Sequence, residues 1–398
     1  MQDTYNIIER EEAICAHNYH PLPIVLSRGS GIWLWDVDGK RYLDMMSAYS
    51  AVSHGHSHPK MIEAAKTQID KLCITSRAFY TDKLSPFLEK LCDISGMDKA
   101  LPMNTGAEAV ETAIKASRKW GYEVKGIPND KAEIIVAKNN FHGRTTTIIS
   151  FSTDPVTRKG FGPLTPGFKI VDFGDIESLK NAINANTCAV MLEPIQGEAG
   201  IIIPPAGYFK QVSEICAQKN VLLILDEVQS GLGRTGKMFA FEHEGIKPDG
   251  LILGKALGGG IMPVSAFLAK SEVMNVFVPG SHGSTFGGNP LAAAVGYSAL
   301  KVLIDEELVQ KSRDLGLYMK TKLEEINNGA FVAIRGRGLW IGADLNHDCM
   351  TGREFCLKLM EQGILAKDTQ HHTIRFAPPL VITKEDVDWA IGIIKGII

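Results

Sequence analysis

Apolar positions along the chain follow three patterns in succession. Near the N-terminus, "GIWLWDVDGKRYLDM" alternates apolar and polar residues around Asp38-Gly39. That alternation predicts a hairpin, with Gly39 supplying the positive φ its turn needs. From about Pro59 the period becomes helical, placing Met61, Ile62, Ala65, Ile69 and Leu72 on one face. The central part then carries short, uninterrupted apolar runs: "EIIVA" (133–137), "FKIVDF" (168–173), "CAVMLEP" (188–194), "VLLILDE" (221–227), "GLILG" (250–254) and "VSAFLA" (264–269). Amphipathic stretches such as "GYFKQVSEICAQKN" separate several of them. Continuous apolar strands alternating with helices predict an α/β fold whose mostly parallel, seven-stranded-type sheet is covered by helices on both faces. From about Ala330, "FVAIRG", "LWIGADL" and "TIRFAPP" mix short strands with helices, as in a smaller α+β lobe. The expected organisation is a large domain over 51–300 and a small domain built from both termini, 1–50 and 301–398.

Composition narrows the class of function. The 398 residues are 45% hydrophobic and 22% charged, as in an ordinary globular protein, and are enough for a large buried core. A net charge of -3 gives no electrostatic footprint for nucleic acid or an anionic membrane. No apolar run approaches the roughly 20 residues of a membrane span. The start, "MQDTYNIIEREEAICAHNY", suits neither a signal peptide nor an Arg-rich transit peptide, so a cytoplasmic protein is expected. Seven cysteines with no C-x-x-C pair point to buried reduced thiols rather than disulfides or zinc.

In a parallel sheet, ligands gather at the carboxyl ends of the strands. "VLLIL" ends in Asp226-Glu227, "CAVML" in Glu193-Pro194 and "GLILG" in Lys255. Two acids and a lysine at one edge form a plausible site, although a strand-end acid can equally cap a helix. A nucleotide-phosphate loop fails here: Asp249 stands where its first glycine is needed, and Lys255 is followed by Ala256 rather than a hydroxyl. "GLGRTG" (231–236) matches a dinucleotide fingerprint in letters only, because "DEVQS" separates it from the strand. In "NTGAEAVETAIKASRKWG", Thr105, Gly106 and Ala107 precede an evident helix, where free backbone N–H groups can hold a phosphate. A plain capping motif has the same appearance.

The order of motifs is more specific than any one of them. "MNTGAEA", "NNFHGRT", "EPIQGEAG", "LLILDEVQSGLGRTG", "LGKALGGGIMPVSA", "HGSTFGGNP" and "IRFAPPL" run from about residue 15 to the C-terminus, with Lys255 placed 29 positions after Asp226 (255 − 226). The chain thereby resembles the class III, fold-type I aminotransferases, which use pyridoxal phosphate. "AHNYHPLP", "SAYSAVSHGHSHP", "ITSRAFY" and "RKWGYEVKGI" are similar to the branch of that family acting on ornithine rather than acetylornithine.

This resemblance implies a role for each of several residues. Lys255 would form the Schiff base with the cofactor aldehyde and then act as the base, which requires a pKa lowered by desolvation and positive surroundings. Asp226 would pair with the pyridinium nitrogen, and Gln229 with the ring hydroxyl oxygen. Phe141 would stack on the ring with His142 beside it; an ordinary core aromatic is the alternative for Phe141. The phosphate would sit on Gly106 and Ala107, completed by Ser284 and Thr285 of a second subunit, so that a homodimer with shared active sites is implied. Arg375 would grip the α-carboxylate of glutamate and be masked by Glu198 while ornithine reacts. Arg144 would bind the second carboxylate of 2-oxoglutarate and, in the other half-reaction, the ornithine carboxylate. Tyr19 would bond the distal α-amine of ornithine, and Tyr49 would shape the pocket. Glu198–Arg375 can also be read as a structural ion pair, and Tyr19 as cover for a core edge. His142 departs from the Trp usual in eukaryotic ornithine-acting members, which bears on pocket shape and not on reaction type. His54, His56 and His58 alternate along "SHGHSHP" and would share one side of an extended segment. They lack suitable Cys or acidic co-ligands, and no metal is expected. Acetylornithine or 4-aminobutyrate transamination, an aminomutase without a keto acid, and a non-enzymatic scaffold are the competing readings.

Overall fold

The computed structural model describes residues 2–398; Met1 of the N-terminal stretch quoted above lies outside them. Among the described residues fifteen strands form three sheets. β1 (Leu26–Ser30), β2 (Trp33–Asp36) and β3 (Arg41–Asp44) make a meander. The hairpin expected at Asp38-Gly39 is present: Trp33 pairs with Leu43, and Gly39 has φ of 84°. The central sheet comprises β4 (Lys99–Met103), β5 (Glu133–Ala137), β6 (Phe168–Val171), β7 (Thr187–Leu192), β8 (Leu222–Asp226), β9 (Gly250–Leu253) and β10 (Ser265–Ala269). β11 (Phe331–Gly336), β12 (Ile341–Leu345), β14 (Lys367–Thr369) and β15 (Thr373–Phe376) form the third sheet. β13 (Ile364–Leu365) instead runs parallel to β3, joining the C-terminal part of the chain to the N-terminal meander.

The order of the central sheet is β4-β10-β9-β8-β7-β5-β6, and its five strands from β9 to β6 pair in parallel. Only β10 runs against its neighbours, pairing antiparallel with both β4 and β9. Leu222 and Ile224 pack with Ala109, Val110, Ala113 and Trp120 of the helix Gly106–Glu123 in one apolar layer. Leu223 and Leu225 pack with Phe209 and Val212 of the helix Tyr208–Gln218 in the other. Alternate side chains therefore enter opposite layers, which is why the strand reads as one unbroken apolar run.

Several sequence expectations are corrected. β4, "KALPM", was not expected: a lysine and a proline disguise it, and Pro102 is tolerated because β4 is an edge strand. On the helix Pro59–Ile69, Met61 and Ala65 are buried with Gln68, while Ile69 and, just past the helix end, Leu72 are exposed. The thiols are all free, but Cys15, Cys73 and Cys349 are exposed; only Cys188, Cys216 and Cys356 are buried. The three histidines do not share one side. Gly55 and Ser57 take positive φ and break the extended run. His54 Nε2 meets Ala299 O at 2.9 Å, His56 meets Asp44 at 2.7 Å, and His58 meets Glu306 at 3.2 Å. In "GLGRTG", Arg234 is fully buried and donates to Leu339 O, Pro378 O and Ser53 Oγ, so it cross-links distant segments rather than facing a ligand.

Candidate functional site

Segments that follow five of the central strands (β4, β5, β7, β8 and β9) meet in one cavity of about 190 Å³ at the carboxyl edge of the central sheet. Its lining includes Lys255, Asp226, Gln229, Phe141, His142, Gly106 and Ala107, together with Glu193, Ile195 and Val228. Strand alternation sorts the adjacent acids. Asp226 turns into the cavity, while Glu227 turns away, its carboxylate accepting the N–H groups of Ala240 and Phe241 at 2.6 and 2.9 Å. Asp226 reads as a site residue and Glu227 as a cap.

Lys255 follows β9 with a φ of 45°, a left-handed conformation for a residue with a side chain, and such strain is characteristic of functional positions. The glycines around it provide clearance. A Cβ on Gly259 would lie 2.3 Å from Met61 Sδ, and one on Gly106 would lie 3.0 Å from Val228 Cγ1. Burial holds the Lys255 ammonium below the ordinary lysine pKa. The carboxylates of Glu198 and Asp226 pull the other way, while Arg375 adds to the lowering.

Asp226 is held by two donors: His142 Nδ1 at 2.7 Å from Oδ2, and Val228 N–H at 3.0 Å from Oδ1. Burial works against a proton on His142, but the Asp226 hydrogen bond and charge prevail and raise its pKa. Glu193 accepts the N–H groups of Phe141 and Gly197 on its two oxygens, at 3.0 and 3.3 Å. Its burial pushes its carboxyl up to about 7. A Cβ on Gly197 would lie 2.3 Å from Gln229 Oε1, so this loop approaches the Gln229 amide as only glycine permits.

The helix Gly106–Glu123 starts at the cavity. Thr105 and Glu108 form a capping box, Thr105 Oγ1 accepting Glu108 N–H at 3.3 Å. The first-turn N–H groups of Gly106 and Ala107 have no intrahelical partner, so capping and anion binding coexist there.

A second cleft, of about 610 Å³, adjoins the first and is bordered by Phe141, His142, Arg144, Glu198 and Thr369. Arg375, 4% exposed, donates from Nη1 to Glu198 Oε1 at 2.7 Å and stacks 4.9 Å from the Tyr49 ring centroid. Tyr49 is delivered by Ser47–Ser50, a turn in which four consecutive residues take positive φ. The Arg144 guanidinium lies 5.9 Å from the Tyr19 ring and 5.7 Å from that of Phe141. Tyr19 itself is 67% exposed. Ser284 and Thr285 line neither cavity: Ser284 Oγ accepts from Asn104 Nδ2 at 2.9 Å and from Gly287 N–H, and Thr285 is exposed. Val228, Ile195 and Gly143 belong to the lining without having been singled out from sequence, because apolar or glycine positions at strand ends look like core or turn.

The donor set fits pyridoxal phosphate. It provides a cavity-lining amine of lowered pKa for an aldehyde, a fixed carboxylate for a ring nitrogen, a flat aromatic wall and a helix start for a phosphate. Among the described residues no group of His, Cys, Asp and Glu could hold a metal ion, and no helix is long and apolar enough to cross a membrane.

Comparison with known proteins agrees with this donor set. The profile of the aminotransferase class-III family matches residues 14–398. An ornithine aminotransferase of Brevibacillus brevis is 58% identical over 398 residues, covering 100% of this chain and 99% of that protein. The crystal structure of an ornithine aminotransferase from Toxoplasma gondii ME49, 43% identical, superposes with a TM-score of 0.97 over 99% of this chain and 94% of that one. An acetylornithine aminotransferase from Elizabethkingia anophelis is 48% identical and superposes at 0.91, over 99% and 98% of the two chains. The chain belongs to the class-III aminotransferase family.

Proposed function

We propose that this class-III aminotransferase moves the δ-amino group of L-ornithine to 2-oxoglutarate, giving glutamate 5-semialdehyde and glutamate. The observation that carries the substrate reading is the masked arginine. Arg375, a deeply buried guanidinium whose charge acts on Lys255, is occupied by Glu198 at 2.7 Å. With Arg375 masked, an incoming diamino acid has Arg144 left for its carboxylate, so its far amine is the one directed to Lys255. When glutamate or 2-oxoglutarate enters, its own carboxylate replaces Glu198 on Arg375 and the α-carbon is presented instead. One pocket thereby handles a δ-amine and an α-amine in turn.

When bound, pyridoxal phosphate supplies an aldehyde that joins the amine and a ring that accepts electron density from the carbon losing its proton. Lys255 Nζ would anchor the resting cofactor and then carry the proton to and from that carbon, and burial, which lowers its pKa, favours the neutral amine this needs. Asp226, its carboxylate fixed by His142 and Val228 N–H, would hold the ring nitrogen. Gln229 would hold the ring hydroxyl oxygen, Phe141 would supply an aromatic wall beside the ring, and the Gly106 and Ala107 N–H groups would hold the phosphate. Tyr19 bonds the distal α-amine of ornithine, and Tyr49 sets the shape of the pocket beneath Arg375.

A homodimer completes this reading. Ile69, Leu72, Ile74, Phe79 and Tyr80, all within residues 69–80, are exposed on one protomer, as is Phe286, an apolar density unusual for a surface that meets only water. A second copy of the chain would cover them and bring Ser284 and Thr285 to the phosphate end of its partner's cavity. A large cofactor-binding domain over 51–300 and a small domain from 1–50 and 301–398 are the expected units, with Glu198 on the first and Arg375 on the second. Steady-state kinetics with ornithine and N-acetylornithine, each with 2-oxoglutarate, test the substrate. A higher kcat/KM for ornithine is expected; preference for the acetylated amine would overturn the assignment.

A further inference from the structure

The loop that carries Glu198 is attached to the β11-β12-β15-β14 sheet at two backbone carbonyls. Thr369 Oγ1, on β14, donates to Glu198 O at 2.7 Å, and Gln370 Nε2 approaches the same oxygen at 3.3 Å. Arg335, on β11, donates to Gly200 O from both Nε and Nη2, at 2.9 and 2.6 Å. The guanidinium also grips Asp344 of β12 at 2.5 and 2.9 Å, and Thr373 Oγ1 of β15 donates to Asp344 at 2.6 Å. Each of the four strands thus supplies one side chain to this clamp. A third attachment comes from the other side, where Glu193 accepts Gly197 N–H.

Fit is close as well as polar. A Cβ on Gly200 would lie 3.0 Å from Arg335 Nη2, and one on Gly342 of β12 would lie 2.8 Å from Gly200 O. Arg375 stands on β15, two positions beyond Thr373. Both halves of the Glu198–Arg375 lock are therefore referred to the same sheet, one through its own strand and the other through the clamp.

We propose that Thr369 and Arg335 are positioning residues for amine selectivity: they fix the Glu198 backbone to the sheet that bears Arg375, so the lock opens by rotation of the Glu198 side chain alone. The cleft that Glu198 borders gives that side chain room to turn, and its 28% accessibility contrasts with 5% for the Arg375 side chain. A loosened clamp lets Glu198 drift from Arg375 while ornithine is bound, and the free guanidinium then captures ornithine in the α-amine orientation. The inference rests on the reading that Glu198 masks Arg375 during the ornithine half-reaction.

The test compares single-turnover rate constants of the holoenzyme with ornithine and with glutamate. Thr369→Val, which keeps the side-chain shape but not the donor, is expected to lower the ornithine-to-glutamate ratio about five-fold, the weight of one neutral hydrogen bond. Thr369→Ser restores the wild-type ratio. Arg335→Lys lowers the ratio in the same direction, because an ammonium cannot make the same fork. Glu198→Ala serves as the control for the underlying reading and shifts the ratio further. If Glu198→Ala shifts the ratio while Thr369→Val and Arg335→Lys leave it at the wild-type value, the clamp is refuted and the lock survives. Equal slowing of both half-reactions in the clamp variants also refutes it, since that is what a merely structural role produces. An unchanged ratio in Glu198→Ala refutes the lock, and the clamp with it.

Discussion

Two acid–base pairs flank Lys255, and their heavy atoms are equally far apart. His142 Nδ1 lies 2.7 Å from Asp226, and Arg375 Nη1 lies 2.7 Å from Glu198. Their surroundings differ. His142 and Asp226 side chains are 0% and 5% accessible, and Asp226 carries a second donor, the Val228 N–H. Glu198 makes one contact with Arg375 and borders an open cleft. Equal lengths therefore describe a fixed pair and a releasable one; burial and the second donor make the difference. On the proposed function, the fixed pair would serve chemistry common to both half-reactions, and the releasable pair the choice between them.

The largest predicted effect removes the group that stands between the pairs. Lys255→Ala should lower turnover by at least about 10⁴-fold, the upper range for a lost proton carrier, and should let pyridoxal phosphate dialyse away. Retention of the cofactor's visible band after dialysis would break the assignment of Lys255. Asp226→Asn keeps the shape of the fixed pair and removes its charge. A loss of about 10³-fold is expected, equal for ornithine and glutamate, since both depend on it. A change confined to one substrate, read by single-turnover kinetics, would erase the distinction between the pairs.

Glu193 sits where the two regions join, accepting Phe141 N–H from one and Gly197 N–H from the other. Its folded pKa of about 7 lies above the ordinary 4.5, so the folded protein holds the proton more tightly than the unfolded chain. Stability from this group is full below about pH 4.5 and is lost as pH rises through about 7, by about 3 kcal/mol in all. The raised His142 pKa acts in the same direction. Glu193→Gln should flatten that slope, and unfolding midpoints at several pH values between 4.5 and 8 would check it. Glu198→Ala should have a smaller effect than Lys255→Ala or Asp226→Asn, about ten-fold, and only on a ratio: glutamate gains relative to ornithine while turnover survives. Equal slowing of both substrates would show that Glu198–Arg375 is a structural pair after all.

What could be read from the sequence follows the physics of each part. Strands β5, β7, β8 and β9 were legible because burial on both faces leaves their interiors apolar, with the polar Glu133, Thr187 and Asp226 only at strand ends. The reversed direction of β10 was not, since apolar content carries no polarity of chain direction. Lys255, Asp226 and the start of the helix at Gly106 were legible from position at strand ends, and the structure brings them into one cavity. The left-handed turn at Ser47–Ser50 was invisible because none of its residues is glycine; its conformation is imposed from outside. Asp44 accepts Met46 and Ser47 N–H, and Ser47 Oγ donates to Ala377 O, across 330 positions. The exposure of Ile69 and Leu72 was likewise hidden, because an apolar helix face has the same period whether or not the core covers it.

The central claim is that the masked arginine directs the δ-amine to Lys255. The most direct test uses L-ornithine labelled with ¹⁵N at either the δ or the α position, with unlabelled 2-oxoglutarate, and follows the label by mass spectrometry. The δ label should appear in glutamate, and the α label should remain with the semialdehyde product. Transfer of the α label to glutamate would contradict the account.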